Sequence, residues 1–502
     1  MKSTIRISSR KSDLARLQSY LVGEAIQKHV KGVKIEYQFR ESLGDRNLEN
    51  PLWKMPEKGV FTQDFKEDLV TGKTDLVVHS WKDLPIEESG VTCVVASLPR
   101  ADERDLFLFK KQSRPSKGQS LALKVFSSSP RRAFNLVPFF QWSLPFETTS
   151  VEFLPVRGNI QTRIQKAMAT DDVHGIIIAK AALDRLLTAR SSEFVDTQKF
   201  LKKALAQFEI QIIPLSQSPT SAAQGALAIE IASKNRRIKN ILKAINATED
   251  FRLVTEERQH FKSWGGGCHQ KMGVTLKMQS EHVMRFERGL DQGDNFVWNQ
   301  DILRGPFKQL QRPIAIDSVV ETHAHLEKQI LNLKPYRAKK NEALIITKGN
   351  LLHKNSGQPT CLWTSGIETW KQLAAMGFWV TGSYDSLGET QRPEIDALYA
   401  RNLKWKKLTH QQGRVKRWAA LQKLYKIQYR GWDQVYKFKN KKYFFWSHGE
   451  LFLSCWKRFP WLKTKTHICG LGNTLDIVSK YVEPKNLITV YNYKDWKKKW
   501  TQ

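Results

Sequence analysis

The sequence contains no apolar run that approaches the roughly 18 to 20 residues needed to cross a bilayer, so no membrane span is predicted. Its first seven residues lack the apolar core and small-residue cleavage site of a signal peptide, and we expect a cytoplasmic protein. The five cysteines are scattered without a CxxC pair, so neither a disulfide framework nor a metal site is predicted. Internal repeats and low-complexity tracts are also absent from the sequence.

Acidic residues are scarce relative to basic ones, and the deficit is uneven along the chain. The 502 residues carry 81 Lys and Arg against 49 Asp and Glu, which gives a net charge of +32. Residues 336–502 alone hold 31 basic and 11 acidic residues, together with 11 of the 16 tryptophans. A chain of this length exceeds one compact core, so we expect several domains and a C-terminal part of different origin.

Alternating strand and helix patterns predict an α/β fold. Residues 3–9 read as a strand, apolar residues from Leu14 to Ile26 recur at helical spacing, and residues 33–39 alternate like a half-buried strand. Short apolar runs predict further strands at residues 75–80, 91–95, 175–179 and 226–231. Two helical patterns follow at residues 235–246 and 248–263.

A candidate catalytic carboxylate follows the predicted strand at residues 75–80. Ser80 is the last residue of this strand, and Lys82 and Asp83 lie just past its carboxyl end, where open α/β sheets bind ligands. Taken alone, the segment fits an ordinary solvated loop with a Lys-Asp pair better than a site, because charged surface turns are common.

Hydroxyl and guanidinium groups cluster at the ends of further predicted strands and helices. At one predicted helix start the sequence places Ser127, Ser128, Ser129, Arg131 and Arg132. The sequence also places Arg157, Gly158 and Arg163 around a second turn. Near the ends of other predicted strands and helices it places Arg10, Ser12, Lys54, Lys58 and Arg185. Such groups bind anions at helix N-termini, although a polar loop with a basic helix start is an open alternative for the serine-arginine segment. Because an unpaired carboxylate in a closed cleft is costly, these basic groups together favour a substrate with several carboxylates.

Cys268 follows three glycines directly after a predicted helix. Glycines stop a helix and permit close approach of the backbone. From this segment alone the thiol is either a reactive group or a small buried side chain, and the second is commoner for a lone cysteine.

Taken in order, these segments resemble porphobilinogen deaminase (hydroxymethylbilane synthase) over about residues 3–330. The resemblance is carried by residues 6–12, 51–54, 58–61, 79–85, 127–132, 157–159, 224–227 and 266–268. The sequence departs from the family pattern at Pro56-Glu57, where glycines normally precede Lys58, and at His269-Gln270-Lys271 after Cys268. Neither departure removes a candidate catalytic group.

The resemblance implies two domains like those of periplasmic binding proteins and a small α+β third domain. We therefore predict domain 1 at 1–100 with 202–226, domain 2 at 101–201, domain 3 at 227–333, a linker at 334–342 and an additional basic α/β domain at 343–502.

The resemblance also implies a transferase that joins four porphobilinogens into linear hydroxymethylbilane and releases ammonia. Asp83 matches the family's acid/base carboxylate, and Cys268 matches the cysteine that carries a dipyrromethane cofactor through a thioether. Cofactor-holding positions are matched by Ser80, Lys82, Ser127, Ser128, Ser129, Arg131 and Arg132. Substrate-guiding positions are matched by Arg10, Ser12, Arg157, Gly158, Arg163 and Arg185, with Lys54 and Lys58 on a loop near the cleft. We expect a monomer.

The C-terminal region allows several interpretations. Strand-turn-helix patterns at residues 361–377 and 444–474 resemble a shortened uroporphyrinogen-III synthase. A basic docking domain is an alternative, whereas nucleic-acid binding is not expected because no recognised motif accompanies the lysines and aromatics. For the whole chain, the alternative is a non-catalytic binding protein for carboxylate-rich ligands with a basic interaction domain. The presence of both Asp83 and Cys268 argues against this alternative, since binding alone requires neither.

Overall fold

The computed structural model describes residues 3–41, 63–87, 89–267, 270–307, 314–315, 318–415, 417–493 and 496–497. Within these residues, the helices are all too short or too polar to cross a membrane. No group of three or more potential metal-binding side chains is found in the same part of the chain.

The first lobe is a five-stranded sheet with the order β2-β1-β3-β10-β4. Its strands are β1 (Ser3–Arg10), β2 (Val33–Arg40), β3 (Leu76–Ser80), β4 (Thr92–Ala96) and β10 (Leu227–Ala232). Its helices are α1 (Asp13–His29), α2 (Gln63–Val70) and α7 (Arg236–Leu242). The first three strands are parallel and β10 is antiparallel to both of its neighbours. Ile5 and Ile7 of β1 pack with Val22 and Ile26 of α1, so the helical apolar spacing seen in the sequence covers the sheet.

The second lobe repeats this topology with the order β7-β6-β8-β5-β9. Its strands are β5 (Asp105–Lys110), β6 (Leu121–Phe126), β7 (Thr148–Leu154), β8 (Gly175–Ala179) and β9 (Phe208–Ile212). Its helices are α3 (Pro130–Ser143), α4 (Ile160–Ala169), α5 (Lys180–Leu187) and α6 (Val195–Leu205). The chain passes between the lobes twice, in a first crossover segment (97–104) and a second crossover segment (213–226). Two such lobes confirm the predicted α/β class with binding-protein-like domains.

A small α+β unit follows the lobes. It consists of α8 (Thr248–Ser263) and an antiparallel sheet of β11 (Gly273–Gln279), β12 (His282–Leu290) and β13 (Phe296–Arg304). Ser280 and Glu281 join β11 to β12 with positive φ angles of 47° and 65°, which is the geometry of a two-residue hairpin turn. Arg100 of the first crossover segment donates two hydrogen bonds to the buried Glu257 of α8, which fixes this unit to the lobes.

The C-terminal region contains two further sheets. The six-stranded sheet has the order β15-β20-β19-β16-β17-β18, and the four-stranded parallel sheet has the order β14-β21-β22-β23. The strands of the first are β15 (Glu327–Leu331), β16 (Ala343–Ile346), β17 (Cys361–Thr364), β18 (Gly382–Ser383), β19 (Trp405–His410) and β20 (Ala419–Arg430). Those of the second are β14 (Val319–Glu321), β21 (Tyr443–Trp446), β22 (Thr466–Gly470) and β23 (Leu487–Val490). The helices are α9 (Ile367–Ala375), α10 (Trp432–Tyr436), α11 (Gly449–Arg458) and α12 (Asn473–Val478).

Strand pairing differs from the predicted domain boundaries at three places. β9 lies within the 202–226 stretch predicted for domain 1, yet it pairs with β5 of the second lobe. β10, predicted in domain 3, completes the first lobe. β14 and β15 precede the predicted linker but pair with strands of the C-terminal region. Backbone hydrogen bonding between distant strands, which local sequence patterns do not encode, sets these memberships, and independent folding of the domains stays a prediction.

Tryptophans attach the C-terminal region to the second lobe. The indole nitrogen of Trp370 donates to the carbonyl of Ser143 at 3.0 Å, and that of Trp379 donates to the carbonyl of Ile210 at 2.9 Å. Trp379 also stacks on Phe109 of β5 with ring centres 5.4 Å apart. Each of these indole N–H groups has an acceptor across the interface, so the hydrogen bonds fix how the two parts are oriented as well as the area that they bury.

Both crossover segments also touch the C-terminal region. Arg104 of the first segment lies over the ring of Trp363 at 5.5 Å. In the second segment, the backbone N–H of Ser216 donates to the buried carboxylate of Asp385 at 2.8 Å, and the Ser216 hydroxyl donates to the same carboxylate. The C-terminal region is therefore packed against both connections between the lobes.

Candidate active site

The candidate site lies where parallel strands of the two lobes end. Lys82 and Asp83 belong to a short 3-10 helix, Trp81–Asp83, that directly follows β3 in the first lobe. In the second lobe, Ser129 caps α3 after β6, and its hydroxyl accepts a hydrogen bond from the backbone of Arg132 at 3.4 Å. The serine-arginine segment is therefore a helix start, as the sequence indicated.

The loop that carries Asp83 is held by α8. The guanidinium of Arg258 donates to the carbonyl oxygens of Trp81 and Leu84 at 3.2 Å each, and also to that of Pro85. Trp81 is buried and packs on Phe251 of the same helix with ring centres 5.1 Å apart. The backbone around Asp83 is fixed while its side chain is exposed. A carboxylate in this setting is positioned and open to a ligand.

Lys82 points the other way, into the interior. Its ammonium donates to the side-chain oxygen of Gln224 in the second crossover segment at 3.1 Å. Burial lowers the pKa of Lys82 to about 8, with Asp83 opposing this shift and Arg132 and Arg131 reinforcing it. An anion bound nearby would favour the charged form of this lysine.

Arg131 and Arg132 share one buried carboxylate. Asp105, at 0% exposure, accepts from Arg131 at 2.9 Å and from two nitrogens of Arg132 at 2.7 and 3.1 Å. Gln224 donates to the same carboxylate at 2.8 Å. Burial alone would raise the pKa of Asp105, but Arg132 and Arg131 outweigh it and hold that pKa below its usual value. Two guanidiniums against one carboxylate leave a net positive charge.

A turn before α4 adds further cations. Gly158 has a φ of 116°, and a Cβ there would lie 2.8 Å from Thr162, so the position requires glycine. Its carbonyl accepts from Arg163 at 2.7 Å. Burial lowers the pKa of Arg163 to about 10, and Arg132, Arg157 and Arg10 act in the same direction while Asp83 opposes them. These residues come from both lobes and form one electrostatic cluster.

Other predicted site residues form hydrogen bonds with neighbouring residues of the fold. Ser80 exchanges hydrogen bonds with Gln18 at 3.2 Å, and Ser128 bonds to the backbone of Val156 at 2.9 Å. Arg185 donates to the carbonyl of Gly225 in the second crossover segment at 2.6 Å. Ser127 accepts a backbone hydrogen bond from Ser129 at 3.4 Å, and Ser12 is the N-cap residue of α1.

Lys54, Lys58 and Cys268 lie outside the described residues. The three glycines before the cysteine are described, and each has a positive φ angle of 103°, 61° or 104°. A Cβ on Gly266 would lie 2.9 Å from Ile86, three residues after Asp83. The segment that leads to Cys268 therefore packs directly against the segment that follows Asp83.

Two residues at the centre of this arrangement were missed by the sequence analysis. Asp105 carries the paired arginines, and Gln224 bridges Asp105 to Lys82. The dense charges of residues 100–105, directly before an apolar strand, were a usable signal for Asp105. Gln224 lay in a segment of the family resemblance but received no role.

The arrangement suits a ligand with several carboxylates. Arg131 and Arg132 are buried against Asp105, and the half-buried Lys82 and Arg163 interact electrostatically with Arg132. Buried cations in excess of buried anions are stabilised by an anionic ligand. Among the described residues, the cleft thus fits a polycarboxylate such as a dipyrromethane that bears acetate and propionate groups.

Comparisons with known proteins agree with this chemistry. Residues 5–240 match the family model described as "Porphobilinogen deaminase, dipyromethane cofactor binding domain". The porphobilinogen deaminase of Fusobacterium nucleatum is 30% identical over 312 residues, covering 61% of this chain and 94% of that protein. That of Campylobacter hominis is 30% identical over 313 residues, covering 62% and 93%. More than a third of this chain lies beyond both alignments.

Among solved structures, a periplasmic sulfonate-binding protein of Methylobacillus flagellatus shares 14% identity, with a TM-score of 0.27. It matches 52% of this chain and 68% of that one.

Proposed function

The chain belongs to the porphobilinogen deaminase family, and on this premise we propose which of its residues carry out the hydroxymethylbilane synthase reaction. The reaction is a transfer that joins porphobilinogen units into a linear tetrapyrrole with release of ammonia. When bound, the dipyrromethane cofactor supplies the pyrrole chain that the incoming units extend. Family membership does not favour the alternative of a non-catalytic binding protein.

We propose Asp83 as the acid and base of the reaction. One carboxylate can donate a proton to the departing amine, offset positive charge on the pyrrole and accept the proton released after each bond forms. The observation that carries this proposal is the exposed Asp83 on a loop whose carbonyls Arg258 holds, beside the cationic cluster of both lobes. A fixed carboxylate there needs little reorganisation at each step.

We assign cofactor binding to the basic and hydroxyl groups nearest Asp83. Lys82, Arg131 and Arg132 would hold carboxylates of the cofactor, with Ser80 and the serines 127–129 offering hydroxyl groups. The support for this assignment is the excess of buried cations around Asp105, because an anion relieves their repulsion. Cys268 would attach the cofactor, supported by the contact between its preceding glycines and Ile86.

We assign porphobilinogen and the growing chain to the outer cations. Arg10, Arg157 and Arg163 belong to the electrostatic cluster around Asp83 and are suited to the carboxylates of incoming units. Ser12 and Gly158 belong to the same proposal, as do Lys54 and Lys58. Arg185, which bonds to Gly225, would act by holding the second crossover segment. A monomeric state and a cytoplasmic location complete the proposal, and gel filtration and cell fractionation test them.

The decisive experiment is Asp83→Asn in the holoenzyme. We expect kcat for porphobilinogen consumption to fall about 10³-fold or more, because general acid/base and electrostatic contributions are lost together. The matched control is Asp196→Asn, since Asp196 is 98% exposed and lies on α6. Both variants should keep the wild-type circular dichroism spectrum. Activity of Asp83→Asn within tenfold of wild type would refute the assignment.

A second activity, that of uroporphyrinogen-III synthase, is proposed for residues 343–502. The supporting observation is a cavity of about 370 Å³ in the C-terminal region, far larger than a packing defect. Full-length protein incubated with porphobilinogen should then yield the type III macrocycle. Formation of the type I isomer alone would remove this second activity and leave the deaminase proposal intact.

A further inference from the structure

The cavity of the C-terminal region has a basic wall. Its lining includes Lys348 after β16, His410 at the end of β19 and His448 directly before α11. Lys328 of β15 stands behind His448, with its ammonium 3.5 Å from the imidazole Nε2. Four basic side chains thus lie close together although their segments are far apart in the sequence.

These four groups, which we call the basic cluster, have no carboxylate partner. Within the described chain, neither Lys328 nor Lys348 forms an ion pair, and the Nδ1 atom of His410 has no hydrogen-bond partner. Lys348 lies 5.6 Å from the centre of the Tyr425 ring. The cluster therefore lies beside an aromatic ring and the cavity.

The positive charges of the basic cluster oppose one another's protonation. Burial lowers the pKa of Lys328 to about 8, and Lys348 lowers it further. Burial also lowers the pKa of His448 to about 3 and that of His410 to about 4, with both lysines acting in the same direction. Placing these basic groups together therefore costs free energy that no carboxylate partner in the described residues offsets.

The carboxylates of the cavity are engaged or lie on other elements. Glu389 accepts from the ammonium of Lys407 and from Asn473. Glu450 and Asp476 belong to α11 and α12, and neither is paired with a lysine of the basic cluster. Within the described residues, the basic cluster thus has no ion-paired carboxylate in the cavity wall.

We propose that Lys328, Lys348, His410 and His448 form a binding site for an oxyanion, the carboxylate or phosphate group of a small ligand. The ammonium of Lys348 donates to the anion from the cavity wall, and Lys328 adds positive charge from behind His448. The imidazole of His410 donates once it takes up a proton, and protonation of His448, whose Nδ1 contacts the Ser447 hydroxyl, adds further positive charge. The site lies outside residues 5–240, which match the family model, and is independent of the deaminase proposal. It lies in the cavity that supports the second proposed activity, although anion binding there is tested without reference to that activity. The two probes used in the test distinguish a phosphate ligand from a carboxylate ligand.

The test uses hydrogen exchange on the full-length holoenzyme, with inorganic phosphate or succinate as the probe. Either anion should slow amide exchange in residues 447–452, and Lys328→Gln with Lys348→Gln should weaken this effect at least about tenfold, or about 1.4 kcal/mol. The control is Lys426→Gln, an exposed lysine beside Tyr425 that should leave the protection unchanged. Protection by phosphate alone or by succinate alone supports the site and identifies its anion.

Two results would overturn the proposal. One is the absence of protection with both probes, and the other is protection that survives in the double variant. If the double variant fails to fold, an NMR titration of wild-type His448 decides, because a bound anion must raise its imidazole pKa and an unchanged pKa excludes the site. Porphobilinogen consumption should be the same in wild type and double variant, which separates this test from that of the deaminase site.

Discussion

The shared carboxylate of Asp105 gives the most quantitative prediction. Asp105→Asn leaves the charges of Arg131 and Arg132 buried without a counter-charge, while the shape of the side chain is kept. Removing one partner from a buried ion pair costs about 3 to 5 kcal/mol. That is a large part of the roughly 5 to 15 kcal/mol that stabilises a typical domain. We therefore expect the second lobe to unfold at clearly lower urea concentration.

The assay is urea denaturation followed by hydrogen exchange, read separately for peptides of β5 and α3. The matched control is Asp172→Asn, which breaks the exposed pair with Lys124 and should leave the midpoint unchanged. A shift for Asp105→Asn no larger than that of the control would refute the reasoning, because the buried charges would then be compensated elsewhere.

The same pair predicts a pH dependence. Because the folded chain lowers the pKa of Asp105, ionised Asp105 stabilises the fold at pH values above its unfolded pKa of about 3.9. The stability difference between wild type and Asp105→Asn should be constant from about pH 5 to pH 8 and shrink only below about pH 4. A difference that disappeared near neutral pH would point to another titrating group.

Two further predictions concern the cofactor and the loop of Asp83. Wild-type protein should exceed its sequence mass by one dipyrromethane, whereas Cys268→Ala should have the sequence mass, and an unmodified wild type would contradict the attachment. Arg258→Ala removes the hydrogen bonds that fix residues 81–85, so kcat should fall about 10²-fold with a smaller change in KM. Arg252→Ala, an exposed arginine of the same helix, is its control, and equal effects would show that the loop is held in another way.

Much of the site was predictable because its residues follow strand ends. Asp83 and the serines 127–129 lie in segments whose local order, an apolar strand and then polar residues, can be read without a structure. Gly158 was likewise visible as a turn before a helix. Family resemblance then supplied the roles that these local patterns left open.

The remainder depends on long-range contacts. Asp105 meets Arg131 and Arg132 only because β5 and α3 pack in one lobe, and Gln224 arrives from the second crossover segment. The difference between the predicted and observed places of β9 and β10 has the same origin, since each is a short apolar run whose partner strands are distant in sequence. Local periodicity identifies a strand but not its neighbour.

In the described residues, the chain passes between the lobes in two segments, and the C-terminal region contacts both. Rotation of one lobe about these crossover segments would strain the Ser216–Asp385 hydrogen bonds and displace Arg104 from the indole ring of Trp363. Any change in the angle between the lobes would therefore change the packing of the C-terminal region. The candidate active site and the cavity of the C-terminal region are thus mechanically connected through the two crossover segments.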